Sequence, residues 1–117
     1  MFKYHKLNIY NLAKELVVDV YRVTKEFPTH ERYSLTSQIN RSAISIPSNI
    51  AEGSGRISLN EQLHFLTIAY SSLLELTCQL EISYEIGYIS GSDLNDFMKK
   101  SKDLAVKISN YKNYLKK

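Results

Sequence analysis

The stretch Leu35–Arg56, which reads LTSQINRSAISIPSNIAEGSGR, carries the pattern that decides the fold. Its apolar residues recur at steps of three and four, and this spacing places them along one side of an α-helix. These residues are Leu35, Ile39, Ala43, Ile46 and Ile50. We expect Gly53 and Gly55 to end the helix, because glycine adopts the left-handed backbone geometry of a C-terminal cap at low cost.

A second side of the same helix is an arc of small or hydrogen-bonding residues. Buried polar groups cost about 1–3 kcal/mol each when they lack a hydrogen bond, and a later helix offers Ser71, Ser72, Glu75 and Gln79 as partners. We therefore predict a polar network with Arg41 and Glu75 as partners. Its members are Gln38, Arg41, Ser45, Asn49, Glu52 and Glu75. A ligand pocket and simple solvent exposure remain alternative interpretations of this arc.

The segments around this helix have helical periodicity as well. Residues 6–26 form an amphipathic pattern that Pro28 stops, since the residue before proline is disfavoured in a helix. Pro47 lies inside the second helix, where its missing N–H predicts a kink.

The third segment has the strongest periodicity. Ser58 and Glu61 form a capping box, which marks a helix start, and we expect about 28 residues of helix to follow. Its predicted heptad stripe is Leu59, Leu63, Leu66, Tyr70, Leu73, Thr77, Leu80 and Tyr84. A turn at Gly87–Gly91 leads to a fourth helix from Ser92 or Asp93.

No segment has a strand pattern, and the connections are short. The sequence therefore predicts an all-α fold, an antiparallel up-down-up-down four-helix bundle, with residues 1–117 as one domain. No apolar run approaches the roughly 20 residues that span a bilayer, so we expect no membrane association. The lone Cys78 cannot form an internal disulfide, which is typical of a cytoplasmic protein.

The excess positive charge lies at the end of the chain. The net charge is +3, and the residues from Asp93 onward contain seven lysines but only three aspartates. Lysine neutralises phosphate, and the interspersed tyrosines have rings that can stack on unpaired bases. The candidate nucleic-acid-binding residues are Lys99, Lys100, Lys107, Lys112, Lys116 and Lys117. A helix whose lysines are only solvated would have the same sequence pattern, and this interpretation remains the alternative to nucleic-acid binding.

The sequence gives no pattern for catalysis or for a cofactor. Glu61 and His64 match half of a di-iron motif, but no second Glu-x-x-His pair follows. The three histidines are scattered and there is one cysteine, so no zinc cluster can be drawn. We therefore expect no catalytic residues, no metal and no cofactor.

Apolar residues also occur on the sides of the helices that face away from the predicted core. A contiguous apolar patch of this kind usually marks an interface, so we expect the chain to associate with copies of itself. The candidate interface residues are Ile44, Ala51, Ile68, Glu75, Ile82 and Ile86.

Several motifs resemble a known family. The resemblance runs through Phe27-Pro28, Ser45-Ile46-Pro47, Asn49-Ile50-Ala51-Glu52-Gly53 and Gly87-Tyr88-Ile89. These motifs are similar to those of the small four-helix-bundle proteins called 23S rRNA intervening-sequence proteins. The resemblance implies an antiparallel four-helix bundle assembled as a ring-shaped homopentamer. A branch of similar fold, the accessory variability determinants of diversity-generating retroelements, binds a reverse transcriptase and nucleic acid through basic surfaces.

Three functional hypotheses follow. The first is a non-enzymatic oligomeric scaffold that binds RNA, DNA or a nucleic-acid-processing protein through the basic C-terminal helix. The second is a purely structural or protein-interaction module without a nucleic-acid role. The third, an enzyme that uses the polar arc, ranks last.

Overall fold

The computed structural model describes residues 1–117, which form four α-helices and two short 3-10 turns. The helices are α1 (Asn8–Thr24), α2 (Leu35–Ser54), α3 (Leu59–Ile86) and α4 (Gly91–Leu115), and the turns span Lys3–Lys6 and Thr29–Glu31. Each helix packs against the next, and α4 also contacts α1. The bundle measures 44 × 24 × 23 Å. The all-α four-helix bundle predicted from the sequence is confirmed.

One apolar core runs through the bundle and contains 18 buried residues from all four helices and the connections at Phe27 and Ile89. The apolar stripe of α2 faces this core, where Ile39, Ala43, Ile46 and Ile50 are all fully buried. Leu35 is only partly buried against the core. None of the helices combines the length and the apolar character that crossing a membrane requires.

Side-chain caps fix the ends of the long helices. The Ser58 hydroxyl accepts the Glu61 N–H at 3.1 Å, so the predicted cap of α3 is confirmed. Helix α4 begins at Gly91, earlier than expected, because Ser90 caps it by accepting the Asp93 N–H at 3.0 Å. Gly87 ends α3 in left-handed geometry, with φ 97°, a conformation that glycine adopts without strain.

The structure corrects the explanation for Gly53. This residue is buried within α2, and the helix continues to Ser54 without a left-handed residue. A Cβ at position 53 would lie 3.0 Å from the Phe65 Cβ and 3.3 Å from the Gln62 carbonyl oxygen. Glycine is therefore needed because α2 and α3 approach each other closely at this point.

The buried face of α3 differs from the predicted heptad stripe. Leu66, Leu73 and Leu80 are buried as expected, but the other buried positions of α3 are Ala69, Ser72, Leu76, Gln79 and Ser83. Of the other predicted members, Leu63, Tyr70 and Thr77 are partly exposed, and Leu59 and Tyr84 are exposed. The helix is rotated towards α2 because the small side chains on that side allow close packing.

Candidate nucleic-acid interface and polar seam

The antiparallel arrangement collects the positive charge at one end of the bundle. We call the half formed by residues 1–15, 46–72 and 104–117 the basic end; it contains eight Lys or Arg and three Glu, a net charge of +5. The opposite half, the acidic end, contains seven Lys or Arg and nine Asp or Glu, a net charge of −2. The molecule therefore has a charge asymmetry along its long axis that the chain order does not reveal.

Two of the six candidate lysines are neutralised within the protein. The Lys100 ammonium donates to the Asp19 carboxylate at 2.6 Å, and this hydrogen bond raises the pKa of Lys100. Lys107 donates to Asp103 at 3.0 Å. Both lysines already have a carboxylate partner, which makes them poor phosphate ligands.

The other four candidate lysines have no ion pair, but they do not lie together. Lys112 donates to the Thr67 hydroxyl at 2.8 Å, and Lys116 and Lys117 follow it at the end of α4. Lys99 lies in the acidic end, apart from these three. The structure adds Lys3, which lines the same small cleft as Tyr111 and Leu115 of α4. Sequence reasoning missed Lys3 because it is distant along the chain, although the predicted antiparallel order would have placed it there.

Two tyrosines of α4 lie next to these lysines with different exposure. The rings of Tyr111 and Tyr114 are stacked, with centroids 6.1 Å apart and planes at 19°. Burial raises the pKa of the Tyr111 hydroxyl, and this ring packs against the core. Tyr114 is 66% exposed. Beside the lysines of α4, the basic end thus presents an accessible aromatic ring that is braced by a second ring.

Hydrogen bonds between α2 and α3 form a polar seam. The Ser42 hydroxyl donates to the Glu75 carboxylate at 3.0 Å. The hydroxyls of Ser45 and Ser72 lie 2.8 Å apart in a hydrogen bond, and Asn49 donates its side-chain N–H to the Ser45 hydroxyl at 2.9 Å. These contacts fix the register of α2 against α3.

The seam is smaller than the predicted network. The predicted Arg41–Glu75 pair does not form: Arg41 is exposed, and Glu75 has Ser42 as its partner. The Gln38 side chain is exposed, and Glu52 forms only a long ion pair of 3.9 Å with Arg56. Long side chains at these positions reach solvent, whereas the short hydroxyls lie between the helices.

The candidate interface residues fall on two separate faces. On α3, Ile82 and Ile86 are exposed and Ile68 is half-buried, and they surround the exposed Glu75. Ser42 of α2 faces Glu75 of α3. Ile44 follows Ser42 by two residues, which is a rotation of about 200° around the helix. Ile44 therefore points away from α3. Ala51 lies one heptad after Ile44 and lines a groove beside Val17 of α1. The structure therefore divides the expected single patch into an α3 face and an α1–α2 face.

No group of three or more His, Cys, Asp and Glu residues is placed to hold a metal ion.

The fold and its surface together define an elongated antiparallel four-helix bundle with a basic end and a polar seam between its central helices.

Comparison with known proteins places this bundle in a family. The family model described as "23S rRNA-intervening sequence protein" matches residues 5–110. The chain therefore belongs to the 23S rRNA-intervening sequence protein family. Comparison with curated proteins found no significant match.

A similar solved structure is the crystal structure of a protein of unknown function from the S23 ribosomal protein family of Bacteroides thetaiotaomicron. The two sequences are 21% identical, and the matched region covers 89% of this chain and 97% of the other chain. The two structures superimpose with a TM-score of 0.82. This likeness shows that the fold is shared.

Proposed function

We propose that this protein is a non-enzymatic, self-associating scaffold that binds nucleic acid with its basic end. The observation that carries the proposal is the group of lysines without ion pairs at that end, where α4 also carries the exposed Tyr114. Lys112, Lys116 and Lys117 are joined there by Lys3 of the N-terminal turn. Phosphate backbones are attracted to such a group, and Tyr114 offers a ring on which an unpaired base can stack.

Self-association strengthens this proposal geometrically. When identical bundles are arranged in a ring with their long axes parallel to the symmetry axis, all basic ends lie on one rim. A homopentamer of this kind, which the family resemblance implies, presents a continuous positive rim from a monomer of modest net charge. The exposed apolar residues Ile82 and Ile86 on α3 and Ile44 on α2 are the contacts we propose for this assembly.

The test is a binding titration with a matched control. Purified protein passes through size-exclusion chromatography with light scattering, and 260 nm absorbance is recorded on the same peak. Labelled single-stranded RNA and DNA are then titrated at several salt concentrations. We expect a mass above that of one subunit and an affinity that falls with salt.

The variant Lys112→Gln, Lys116→Gln, Lys117→Gln should lower the magnitude of the salt slope by about 2, because each phosphate contact on a single strand contributes about 0.7. The control Lys25→Gln, Lys99→Gln, Lys102→Gln removes the same charge from the acidic end and should leave the slope unchanged. Equal effects of the two triple variants, or no binding by the wild type, would refute the nucleic-acid role and favour a protein-interaction module.

A further inference from the structure

An open groove of 480 Å³ runs between α3 and α4, on the side of α3 opposite the polar seam. Its apolar wall includes Tyr70 and Leu74 of α3 and Met98 of α4. Its polar residues are Thr77, Lys99, Ser101 and Lys102. The volume is within the range of about 300–1,000 Å³ that is typical of small-molecule sites.

The groove exists because the apolar residues of α3 extend around the helix beyond the face that is buried in the bundle. Tyr70 and Thr77 belong to the heptad stripe, but the rotation of α3 towards α2 leaves both only partly covered. Leu74 is 53% exposed. Part of the apolar surface of Tyr70 and Leu74 thus remains uncovered in the groove.

Ser101 is the second observation that points to a ligand. The residue is 2% exposed, lines the groove and makes no hydrogen bond with its hydroxyl. A buried helical serine commonly donates to the carbonyl four residues earlier, as Ser83 does to Gln79 at 2.9 Å. The Ser101 hydroxyl is thus a buried polar group with an unused donor at the groove.

The charge at the groove is positive. Lys99 and Lys102 lie one helical turn apart, and neither forms an ion pair, whereas Lys100 and Lys107 of the same helix both have carboxylate partners. An occupant therefore needs an apolar body and an anionic group that accepts hydrogen bonds.

We propose that the α3–α4 groove binds a small amphiphilic carboxylate of the fatty-acid type. Its alkyl chain packs on Tyr70, Leu74 and Met98, and its carboxylate accepts from Ser101 and is attracted by Lys99 and Lys102. This proposal is independent of the nucleic-acid role of the basic end.

The experiment is an NMR titration of the full chain with octanoate, with 1-octanol as the neutral ligand of the same length. We expect saturable shifts of amides in α3 and α4 near the groove, and octanoate should bind more tightly than octanol. Affinity should rise about fourfold for each methylene from hexanoate to decanoate until the groove is filled. Equal affinity for octanoate and octanol, or no saturable binding, would overturn the proposal.

Variants locate the site. Ser101→Ala should weaken octanoate binding about tenfold, whereas the exposed Ser71→Ala should not change it. The double variant Lys99→Gln, Lys102→Gln should weaken octanoate about fivefold without affecting octanol, and Lys3→Gln, Lys116→Gln is its control. If the Leu74→Glu variant has a lower solution mass than the wild type, a second copy of the chain covers the groove in the wild-type assembly. The proposal is then wrong.

Discussion

Helix α3 packs against its two neighbours in opposite ways. On the α2 side, Gly53, Ser45 and Ser72 are small, the helices approach closely, and the hydroxyls are hydrogen-bonded. On the α4 side, Tyr70 and Met98 are large, and a groove with an unbonded Ser101 remains. Small residues thus permit close contact and short hydrogen bonds, whereas large ones hold the helices apart. We infer that the α2–α3 seam provides stability and the α3–α4 groove is free for binding.

The largest expected effect comes from filling the closest approach of the seam. Gly53→Ala places a Cβ 3.0 Å from the Phe65 Cβ, and such overpacking typically costs about 1–3 kcal/mol. This loss should exceed the roughly 1 kcal/mol that alanine gains over glycine in a helix. We therefore expect a lower free energy of unfolding in urea, measured at the same protein concentration as the wild type.

Gly55→Ala is the matched control for this substitution. The nearest atom to its added Cβ, the Glu52 carbonyl oxygen, is 3.6 Å away, which is an ordinary contact. Unfolding should therefore occur at nearly the wild-type urea concentration. If Gly53→Ala proves as stable as Gly55→Ala, the seam is not the tightly packed region that the comparison requires.

A serine substitution on each side of α3 sharpens the comparison. Ser72→Ala removes the hydrogen bond with Ser45 and should lower the free energy of unfolding by about 1 kcal/mol. Ser101→Ala removes no hydrogen bond and should leave stability unchanged or raised. Urea unfolding of both variants measures the difference. Equal losses would mean that the Ser101 hydroxyl has a partner in solution, against the groove described here.

The α2 half of this asymmetry was predictable from sequence, and the α4 half was not. The spacing of Ile39, Ala43, Ile46 and Ile50 identified the buried face of α2, since this stripe has one register. The periodicity of α3 fits two overlapping stripes that share Leu66, Leu73 and Leu80. Which stripe is buried depends on the small residues of α2, and this is information from another helix. The polar seam was partly foreseen for the same reason: residue type predicted polar contacts, but side-chain length decided which of them form.

The surface charge could be predicted only in part. Counting charges along the chain identified the lysines of the last helix, but the pairing of Lys100 with Asp19 joins residues 81 positions apart. Similarly, the proximity of Lys3 to Tyr111 results from the return of α4 to the N-terminal turn. Periodicity predicts which helices form, whereas ion pairs between helices depend on their register and rotation.

The smallest expected effect concerns the contact between the α1–α2 connection, which contains Glu31, and the turn that joins α3 to α4, which contains Tyr88. Ser34 donates to the Glu31 carboxylate at 2.6 Å and the Tyr88 hydroxyl donates to it at 2.7 Å. These bonds hold the pKa of Glu31 below its ordinary value of 4.5, and the bond from Ser34 has the larger effect. Because the folded pKa is depressed, the stabilisation is present at neutral pH and is lost as the pH falls below about 4.5 through the folded pKa.

Tyr88→Phe removes one of these donors but keeps the ring that packs beside Phe27, with centroids 5.2 Å apart. We expect a small decrease in melting temperature at pH 7 that disappears in acid, where Glu31 is protonated in both proteins. The His30 Nε2 lies 3.7 Å from the Glu31 carboxylate. The control His30→Gln removes this imidazole and leaves the bond from Tyr88 to Glu31 in place. A decrease of the same size at all pH values would show that the ring, and not the bond to the carboxylate, anchors the turn between α3 and α4.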